Sequence, residues 1–298
     1  DLISIISPLI KSKKLVDITK DILLINELGE IHTYSSQKKI YRCVPFMIDF
    51  CEELINQSSN PKKINFLFET LIKSVIRKNH LWEIITDNQM TIKSKNLVLS
   101  SSLIAHPRSL QILNINSLPL RQAFLEGKDL IVDSLLSKLS NQKYIKRKNY
   151  IFHVSNIEII NKLNLKYLQI NFSKVIREKS HFERVIFQRQ SDGSLIIVLH
   201  CYYMNELLEL SNEKIIKYLR LIFVKNTKFL NLFFYAQLID IMTWRASQPS
   251  DNFLPLELQW SEKSKIGFCG DYFESLGLIG VEASMNSSIR LANLIKLS

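Results

Sequence analysis

The placement of glycine is the feature that most constrains how this chain can fold. The 298 residues include only seven glycines, and four of these lie together near the C-terminal end: Gly267, Gly270, Gly277 and Gly280. Around them, Ser264 to Asp271 is typical of a short buried strand, and the residues from Gly280 to about Lys296 are typical of a helix. We therefore predict a strand–loop–helix unit whose backbone can approach a ligand closely.

The residue types in this unit suit a large flat cofactor. Asp271 follows Gly270 at the end of the strand, where its carboxylate can accept hydrogen bonds from sugar-like hydroxyls. The first turn of the helix offers free N–H groups and a partial positive charge, which would stabilise a flavin that gains negative charge on reduction. Ala283, Ser287 and Ala292 are predicted to fall near one face of the helix, where small side chains permit close approach.

The charge balance is basic but does not by itself indicate a partner. The formal net charge is +11, from 39 Lys and Arg against 28 Asp and Glu. Such a balance favours acidic ligands, including phosphate-rich dinucleotides. The lysines are scattered and no nucleic-acid-binding motif accompanies them, so we favour a solvated basic surface and expect no nucleic-acid partner.

Cysteine, histidine and apolar spacing argue against several other classes. Four cysteines without a CxxC pair are predicted to be buried free thiols, and six histidines without zinc-type spacing predict no metal site. His106 and His200 are interpreted as structural residues. The longest apolar stretch, residues 229–242, is interrupted by polar side chains, and the N-terminal residues lack a signal-peptide pattern. We expect no membrane partner and a cytoplasmic location.

Local patterns predict both helices and strands. Helices are predicted at Leu2–Leu9, after Pro45 up to about Asn56, and from Asn212 to about Val224 with Ser211 as N-cap. Leu118–Leu139 is predicted to be helical or irregular, and Asn96–Ser100 a strand buried on both faces. The other predicted strands are 22–28, 30–34, 64–76, 82–86, 90–93, 183–190, 195–202 and 229–244.

The C-terminal unit resembles the flavin motif of renalase and the flavin amine oxidases. In that family a strand, Gly-Asp and a loop precede Gly-Val-Glu-Gly-Ala and a helix of small residues. The corresponding residues here are Gly270, Asp271, Gly280, Val281, Glu282, Ala283 and Ser284. The resemblance implies FAD as cofactor, with Asp271 at its ribityl or pyrophosphate region and the Val281 N–H at the pyrimidine edge of the flavin.

Weaker similarities follow in order along most of the chain. Val44-Pro45-Phe46-Met47 looks like a family helix start, and the strand around Ile72 looks like a segment whose backbone contacts the adenine. Residues 184–188 and 243–246 match renalase-like patterns of the substrate domain, where Trp244 and Arg245 are either structural or line the substrate cavity.

This resemblance implies an α/β fold in which a Rossmann-type FAD/NAD(P)-binding domain is interleaved with an α+β substrate domain built on an antiparallel sheet. Residues 45–105 and 263–298 are assigned to the FAD-binding part. Residues 1–44 and 106–262 are assigned to the substrate domain. The family's GxGxxG motif is absent from these residues, so we expect a further N-terminal segment of several dozen residues.

Three functions remain open at this point. The first is a flavin oxidoreductase that takes a hydride from a dihydronicotinamide-like or amine substrate, with an NAD(P)H-type dinucleotide as a candidate partner. The second is a cofactor-less relative that acts as a basic binding or structural protein, which the absent glycine motif and the substituted small residues favour. The third is an oxidase of the same fold acting on polycyclic or polyene substrates. No residue is assigned a catalytic role, because a flavin carries the hydride chemistry itself.

Overall fold

The structure, a computed structural model, describes residues 2–35, 38–58, 60–101, 109–110, 114, 116–117, 119–123, 128–202 and 211–297. The chain divides into two compact units, each assembled from separate stretches of sequence. Unit 1 comprises residues 1–8, 52–144 and 248–298, and unit 2 comprises residues 9–51 and 145–247. His106, Ser102, Gly127 and Tyr203 lie outside the described residues, as does the predicted domain boundary at residue 105.

The helices are named in chain order. They are α1 (Leu2–Lys11), α2 (Met47–Asn56), α3 (Pro119–Ala123), α4 (Leu130–Ser140), α5 (Ile157–Asn161), α6 (Lys174–Ser180), α7 (Asn212–Ile222), α8 (Thr227–Tyr235) and α9 (Gly280–Leu297). Several begin where the sequence supplies a capping side chain. Ser211 Oγ accepts a hydrogen bond from the Lys214 N–H at the start of α7, as its position predicted.

The strands are also named in chain order. They are β1 (Leu15–Asp17), β2 (Ile22–Ile25), β3 (Ile31–Thr33), β4 (Tyr41–Cys43), β5 (Ile72–Lys78), β6 (Leu81–Thr86), β7 (Thr91–Ser94), β8 (Leu97–Leu99), β9 (Tyr144–Val154), β10 (Tyr167–Phe172), β11 (Phe182–Arg189), β12 (Leu195–Tyr202), β13 (Gln237–Pro249), β14 (Trp260–Ser261) and β15 (Ile266–Phe268).

Unit 2 is built on a seven-stranded sheet with the order β13-β9-β12-β11-β10-β2-β3. The pairs β9–β12, β11–β12, β10–β11 and β2–β3 are antiparallel, whereas β2 and β10 are parallel. One face of the sheet packs against α7 and α8 through buried aromatic and aliphatic residues, including Phe187, Phe223 and Phe233. This core holds the middle of the chain together by burial of apolar surface.

The central hairpin of this sheet forms as its turn sequence predicted. Asp192 Oδ1 accepts hydrogen bonds from the backbone N–H and the hydroxyl of Ser194. Gly193 adopts a positive φ of 87°, which is readily available only to glycine. The turn therefore sets the register in which Arg189 faces Leu195.

Unit 1 contains two small sheets and a separate hydrophobic core. The strands β5, β6 and β7 form an antiparallel meander, confirming the predicted hairpin across residues 87–89. In the second sheet, β15 pairs with β8 in parallel and with β14 in antiparallel orientation. Buried residues from both sheets and from α4 form this core, among them Trp82, Leu135 and Phe268.

A buried carboxylate joins α4 to the turn between β14 and β15. Asp129 caps α4 by accepting hydrogen bonds from the Ile131 and Val132 N–H groups, and it also accepts from the hydroxyls of Ser261 and Ser264. Burial alone would raise the pKa of Asp129, but these hydrogen bonds outweigh it, so the pKa lies below its usual value. The network fixes the segment that leads into β15.

Three sequence predictions are wrong in detail. The strand predicted at 64–76 begins only at Ile72. The predicted strand 229–244 is instead the helix α8 followed by β13, since Leu232 and Phe233 pack against the core from a helix. The strand β8 is not buried on both faces, because 45% of Val98 is exposed.

The prediction that all four cysteines are buried is wrong in part, since Cys51 is exposed and Cys43 is half-buried.

The coarse class is confirmed: the protein is a mixed α/β structure. The finer prediction, a Rossmann-type domain interleaved with a substrate domain, stays a prediction. Across the described residues, no helix combines the length and the apolar character that a membrane span requires.

Candidate functional site

The C-terminal strand and helix of unit 1 pack so tightly that glycine is required between them. A Cβ added to Gly267 in β15 would lie 2.8 Å from Leu291 Cδ1 of α9 and 3.1 Å from Trp260 Cε3. Both distances are too short for ordinary carbon contacts. Gly267 thus lets α9 lie directly against β15, which brings the start of the helix close to the end of the strand.

Gly270 serves the packing of an aromatic ring. Its φ is 154°, and an added Cβ would lie 2.2 Å from Tyr272 Cε1. The Tyr272 ring is buried and packs against Phe273. The space that a side chain at Gly270 would need is filled by the Tyr272 ring.

The side chains of a buried glutamine and a buried serine join α9 to the backbone that follows β15. We call this pair the Ser287 clamp. Ser287 Oγ in α9 accepts hydrogen bonds from the Gly270 N–H at 3.1 Å and from Gln259 Nε2 at 2.8 Å. Gln259 Nε2 also donates to the Ser287 carbonyl oxygen at 3.1 Å. Both side chains are buried, so these bonds lie in a low-dielectric environment. The clamp fixes the backbone immediately before Asp271.

A cavity of about 760 Å³ opens beside this corner, entirely within unit 1. Asp271 and the residues Gly280, Val281 and Ser284 of α9 contribute to its wall. The remaining lining residues are Ile5, Leu54, Gln57, Ser58, Met285, Ser288 and Ile289. The wall is therefore mainly apolar, with a carboxylate and hydroxyl groups at a few positions. We call this space the α9 cavity.

Among the lining residues that the structure describes, Asp271 is the only one with an acidic side chain. Burial raises the pKa of its carboxyl group, and a hydrogen bond from its own backbone N–H offsets only part of that effect. Within the described part of the chain, no basic side chain forms an ion pair with it. The carboxylate is thus available to accept hydrogen bonds from a ligand in the cavity.

The two faces of α9 have different roles. Ala283, Ser287 and Leu291 are buried against unit 1, whereas Val281, Ser284, Met285, Ser288 and Ile289 line the α9 cavity. The predicted small-residue face is therefore corrected. Ser287 faces the protein interior, and Ala292 is exposed rather than aligned with Ala283. Gly280 begins the helix with φ of 58° and has open space where a Cβ would be.

The structure brings together some of the predicted cofactor-binding residues and not others. Asp271, Gly280 and Val281 line one cavity. Gly270 and Ala283 lie behind its wall, and Glu282 is exposed at the first turn of α9. Ile72 lies at the start of β5 and packs against the core of unit 1. It is not among the residues that line the α9 cavity.

The predicted substrate-cavity residues lie in unit 2. Trp244 and Arg245 are adjacent in β13, and both are exposed, Trp244 by 47%. In the same sheet, His200 faces Arg184 across the β11–β12 pair. Burial and the neighbouring Arg184 charge lower the pKa of His200 to about 4, so it is neutral at pH 7. Among the described residues, no cluster of three or more His, Cys, Asp and Glu side chains could hold a metal ion.

Known structures of similar fold are oxidoreductases and flavoproteins. An oxidoreductase from Methanosarcina mazei aligns with a TM-score of 0.51 and 13% identity, covering 76% of this chain and 49% of its own. A cofactor-binding redesign of putrescine oxidase aligns with a TM-score of 0.54 and 12% identity, covering 87% and 54%. A flavoprotein/dehydrogenase from Cytophaga hutchinsonii aligns with a TM-score of 0.51 and 10% identity, covering 97% and 65%.

These similarities establish a fold shared with solved oxidoreductases, one of which is named a flavoprotein. At 10–13% identity they do not establish a reaction. The chain spans about half to two thirds of the length of these structures. No family model matches the sequence, and no curated protein matches it.

The sequence did not indicate which residues from other parts of the chain contact α9 or line the α9 cavity. Gln259 and Tyr272 showed no periodic or motif signal, because their roles depend on contacts with α9. Leu54 and Gln57 at the end of α2 line the cavity, although only the apolar stripe of that helix was recognised. Gln259 could have been suspected from its position between the apolar residues Leu258 and Trp260.

Proposed function

We propose that this chain is part of an FAD-dependent oxidoreductase and that the α9 cavity receives the flavin portion of the cofactor. One observation carries the proposal: Asp271 and the N-terminal turn of an 18-residue helix open onto the same cavity. The fold shared with oxidoreductases and flavoproteins supports it independently.

The residues present fit the chemistry of a flavin. A volume of about 760 Å³ lies within the ~300–1,000 Å³ usual for small-molecule sites. Val281, Met285 and Ile289 offer an apolar surface to a flat ring, and Asp271 offers an acceptor for the hydroxyls of a ribityl chain. The open space beside Gly280 leaves the start of α9 accessible to a ring edge.

A bound flavin supplies hydride acceptance, and the protein supplies orientation and electrostatics. The Val281 N–H lies in the first turn of α9, where backbone N–H groups have no acceptor within the helix. Its partial positive charge favours negative charge on the pyrimidine edge of a ring placed there. Asp271 would hold the hydroxyl-bearing chain, and the clamp of Gln259 and Ser287 fixes the backbone immediately before it.

The proposal extends to the other predicted residues and partners. By the same resemblance, the backbone near Ile72 would contact the adenine portion of FAD, and Trp244 and Arg245 would border the substrate. The substrate is a dihydronicotinamide-like compound or an amine. One of the proteins of similar fold is putrescine oxidase, whose name contains that of an amine. The resemblance of residues 243–246 to renalase-like patterns supports this assignment.

The visible absorption spectrum of the purified full-length protein tests the proposal. Bound flavin gives characteristic absorption bands, which we expect in the parent protein and in Asp251→Ala. We expect Asp271→Ala to retain at least about tenfold less FAD after gel filtration. Asp251 is a suitable control because it is an exposed aspartate of the same unit that does not line the cavity.

A folded full-length protein that shows no flavin absorption after incubation with FAD and gel filtration would contradict the proposal. That result would favour the cofactor-less relative with a binding or structural role. Equal retention of FAD by Asp271→Ala and Asp251→Ala would leave a flavoprotein but remove the role assigned to Asp271.

A further inference from the structure

Unit 1 contains a second cavity, of about 590 Å³, whose lining is rich in positive charge. The lining residues are Arg77, His80, Leu81, Lys95, Asn96, Glu262, Lys263, Lys265 and Ile295. Ile295 is near the C-terminal end of α9, whereas Gly280 of the α9 cavity begins that helix. At ~1.5 Å per residue, these two positions are about 22 Å apart along the helix axis. We call this second space the basic cavity.

The single acidic residue of the lining is already engaged. Glu262 forms an ion pair with Lys265 and accepts a hydrogen bond from Trp260 Nε1 at 2.9 Å. Lys263 Nζ donates to the Lys128 carbonyl oxygen at 2.6 Å. Among the described lining residues, the charges of Arg77 and Lys95 therefore have no acidic counterpart, and His80 lies beside them.

Arg77 is held in place and has unused donor capacity. Its Nη1 donates to the Lys263 carbonyl oxygen at 2.8 Å, which anchors the guanidinium group. Its Nε is buried, and no acceptor for it exists among the described residues. A buried N–H without an acceptor costs free energy. The guanidinium group as a whole is planar and well shaped for an anionic oxygen fork.

The framework of the basic cavity is rigid. The buried Trp82 Nε1 donates to the carbonyl oxygens of Ser264 and Lys265, each at 3.1 Å. These bonds tie the turn before β15 to the β5–β6 hairpin, which carries Arg77 and His80. The cationic groups thus converge on a preformed concave surface, where charges of one sign focus the field and attract anions.

We propose that the basic cavity binds the phosphate group of a small ligand through Arg77, His80 and Lys95. The site is separate from the α9 cavity and does not depend on flavin binding. Pyrophosphate is the simplest probe of this chemistry because it presents several anionic oxygens to one guanidinium and one ammonium group.

Isothermal titration of the full-length protein with pyrophosphate at constant ionic strength tests the site. We expect saturable binding of one ligand per chain, and at least about tenfold weaker binding in Arg77→Gln and Lys95→Gln. Lys73→Gln is the matched control, since it removes one positive charge from the same strand as Arg77 but outside the lining. It should bind pyrophosphate as the parent does.

Four results would overturn the proposal. The first is an absence of saturable heat in a protein whose circular dichroism shows that it is folded. The second is equal weakening by Lys73→Gln and Lys95→Gln, which would indicate diffuse charge. The third is loss of pyrophosphate binding in Ser284→Trp, which would move the anion to the α9 cavity. Steeply salt-dependent binding of duplex DNA without pyrophosphate binding would likewise overturn it and assign the surface to nucleic acid.

Discussion

At the scale of the single residue, Asp271 lies where its charge lowers the stability of the folded protein. Its carboxylate is half-buried beside an apolar cavity, and burial raises its pKa. An acid whose pKa is raised on folding destabilises the folded state once it ionises. The penalty is absent below the ordinary carboxyl pKa of 3.8, and it grows as the pH rises through the folded pKa.

Asp271→Asn should therefore stabilise the ligand-free protein at pH 7, because the amide has no charge to desolvate. The gain should shrink as the pH is lowered toward 3.8. Urea denaturation of the variant and its parent across this pH range measures the effect. A variant that is less stable than its parent at pH 7 would show that the carboxylate has a structural role.

The sequence predicted features made by residues that are neighbours in the chain, and it missed features made by residues that are far apart in it. The Gly270-Asp271 pair and the start of α9 were predictable because their residues are neighbours in sequence. Ser287 was recognised as small, but its bond to Gln259 joins residues separated by 28 positions. No local pattern encodes such a partner, so the clamp that positions Asp271 became visible only in three dimensions.

At the scale of elements, the contact between β15 and α9 determines the shape of the site. It depends on Gly267, whose missing side chain leaves room for Leu291, and on the Ser287 clamp. The sequence predicted this strand and this helix because the spacing of apolar residues along the chain differs clearly between them. It misassigned residues 229–235, where aromatic residues favour a strand locally but pack as the helix α8.

Gly267→Ala should destabilise the protein by about 1–3 kcal/mol, the usual cost of overpacking a core. Leu291 should be the main source of that cost, since its Cδ1 would be 2.8 Å from the new methyl group. Chemical denaturation of the two single variants and of Gly267→Ala combined with Leu291→Ala forms a double-mutant cycle. Additive losses would show that the two side chains do not compete for the same space.

Ser287→Ala should cost about 1–3 kcal/mol, because it leaves the buried Gly270 N–H without its acceptor and weakens the hold on Gln259. The adjacent Ser288→Ala is the control, since Ser288 is exposed and its hydroxyl only donates to the Ser284 carbonyl oxygen. We expect its change to stay within about 0.5 kcal/mol. Equal denaturation midpoints for the two variants would contradict the clamp.

For the whole molecule, the arrangement of each unit depends on pairings that no local pattern reveals. The strand β2 lies parallel to β10, although about 145 residues of chain separate them. The mixed α/β class followed from local patterns, but the strand order of the seven-stranded sheet did not. Each unit also has its own hydrophobic core, with Cys201 buried in unit 2 and Cys269 in unit 1.

Because one buried thiol lies in each unit, a single thiol-labelling experiment reports on the packing of both units. Cys51 is exposed and should react with a thiol reagent in the native protein, whereas Cys201 and Cys269 should react only after unfolding. Burial also raises the pKa of Cys201, which lowers its thiolate fraction further. Mass spectrometry after timed labelling identifies the modified residues. Rapid native labelling of Cys201 or Cys269 would contradict the packing described for that unit.

A steric block in the α9 cavity gives the sharpest test of whether flavin binds there. Ser284 lines the cavity, whereas Asn286 is exposed on the same helix and does not. FAD binding to full-length Ser284→Trp and Asn286→Trp, measured by flavin fluorescence and compared with the parent, separates a filled cavity from a general effect of tryptophan. We expect FAD to bind at least about tenfold more weakly to Ser284→Trp than to the parent, and to bind Asn286→Trp as it binds the parent. Equal FAD affinity in all three proteins would contradict flavin binding in the α9 cavity.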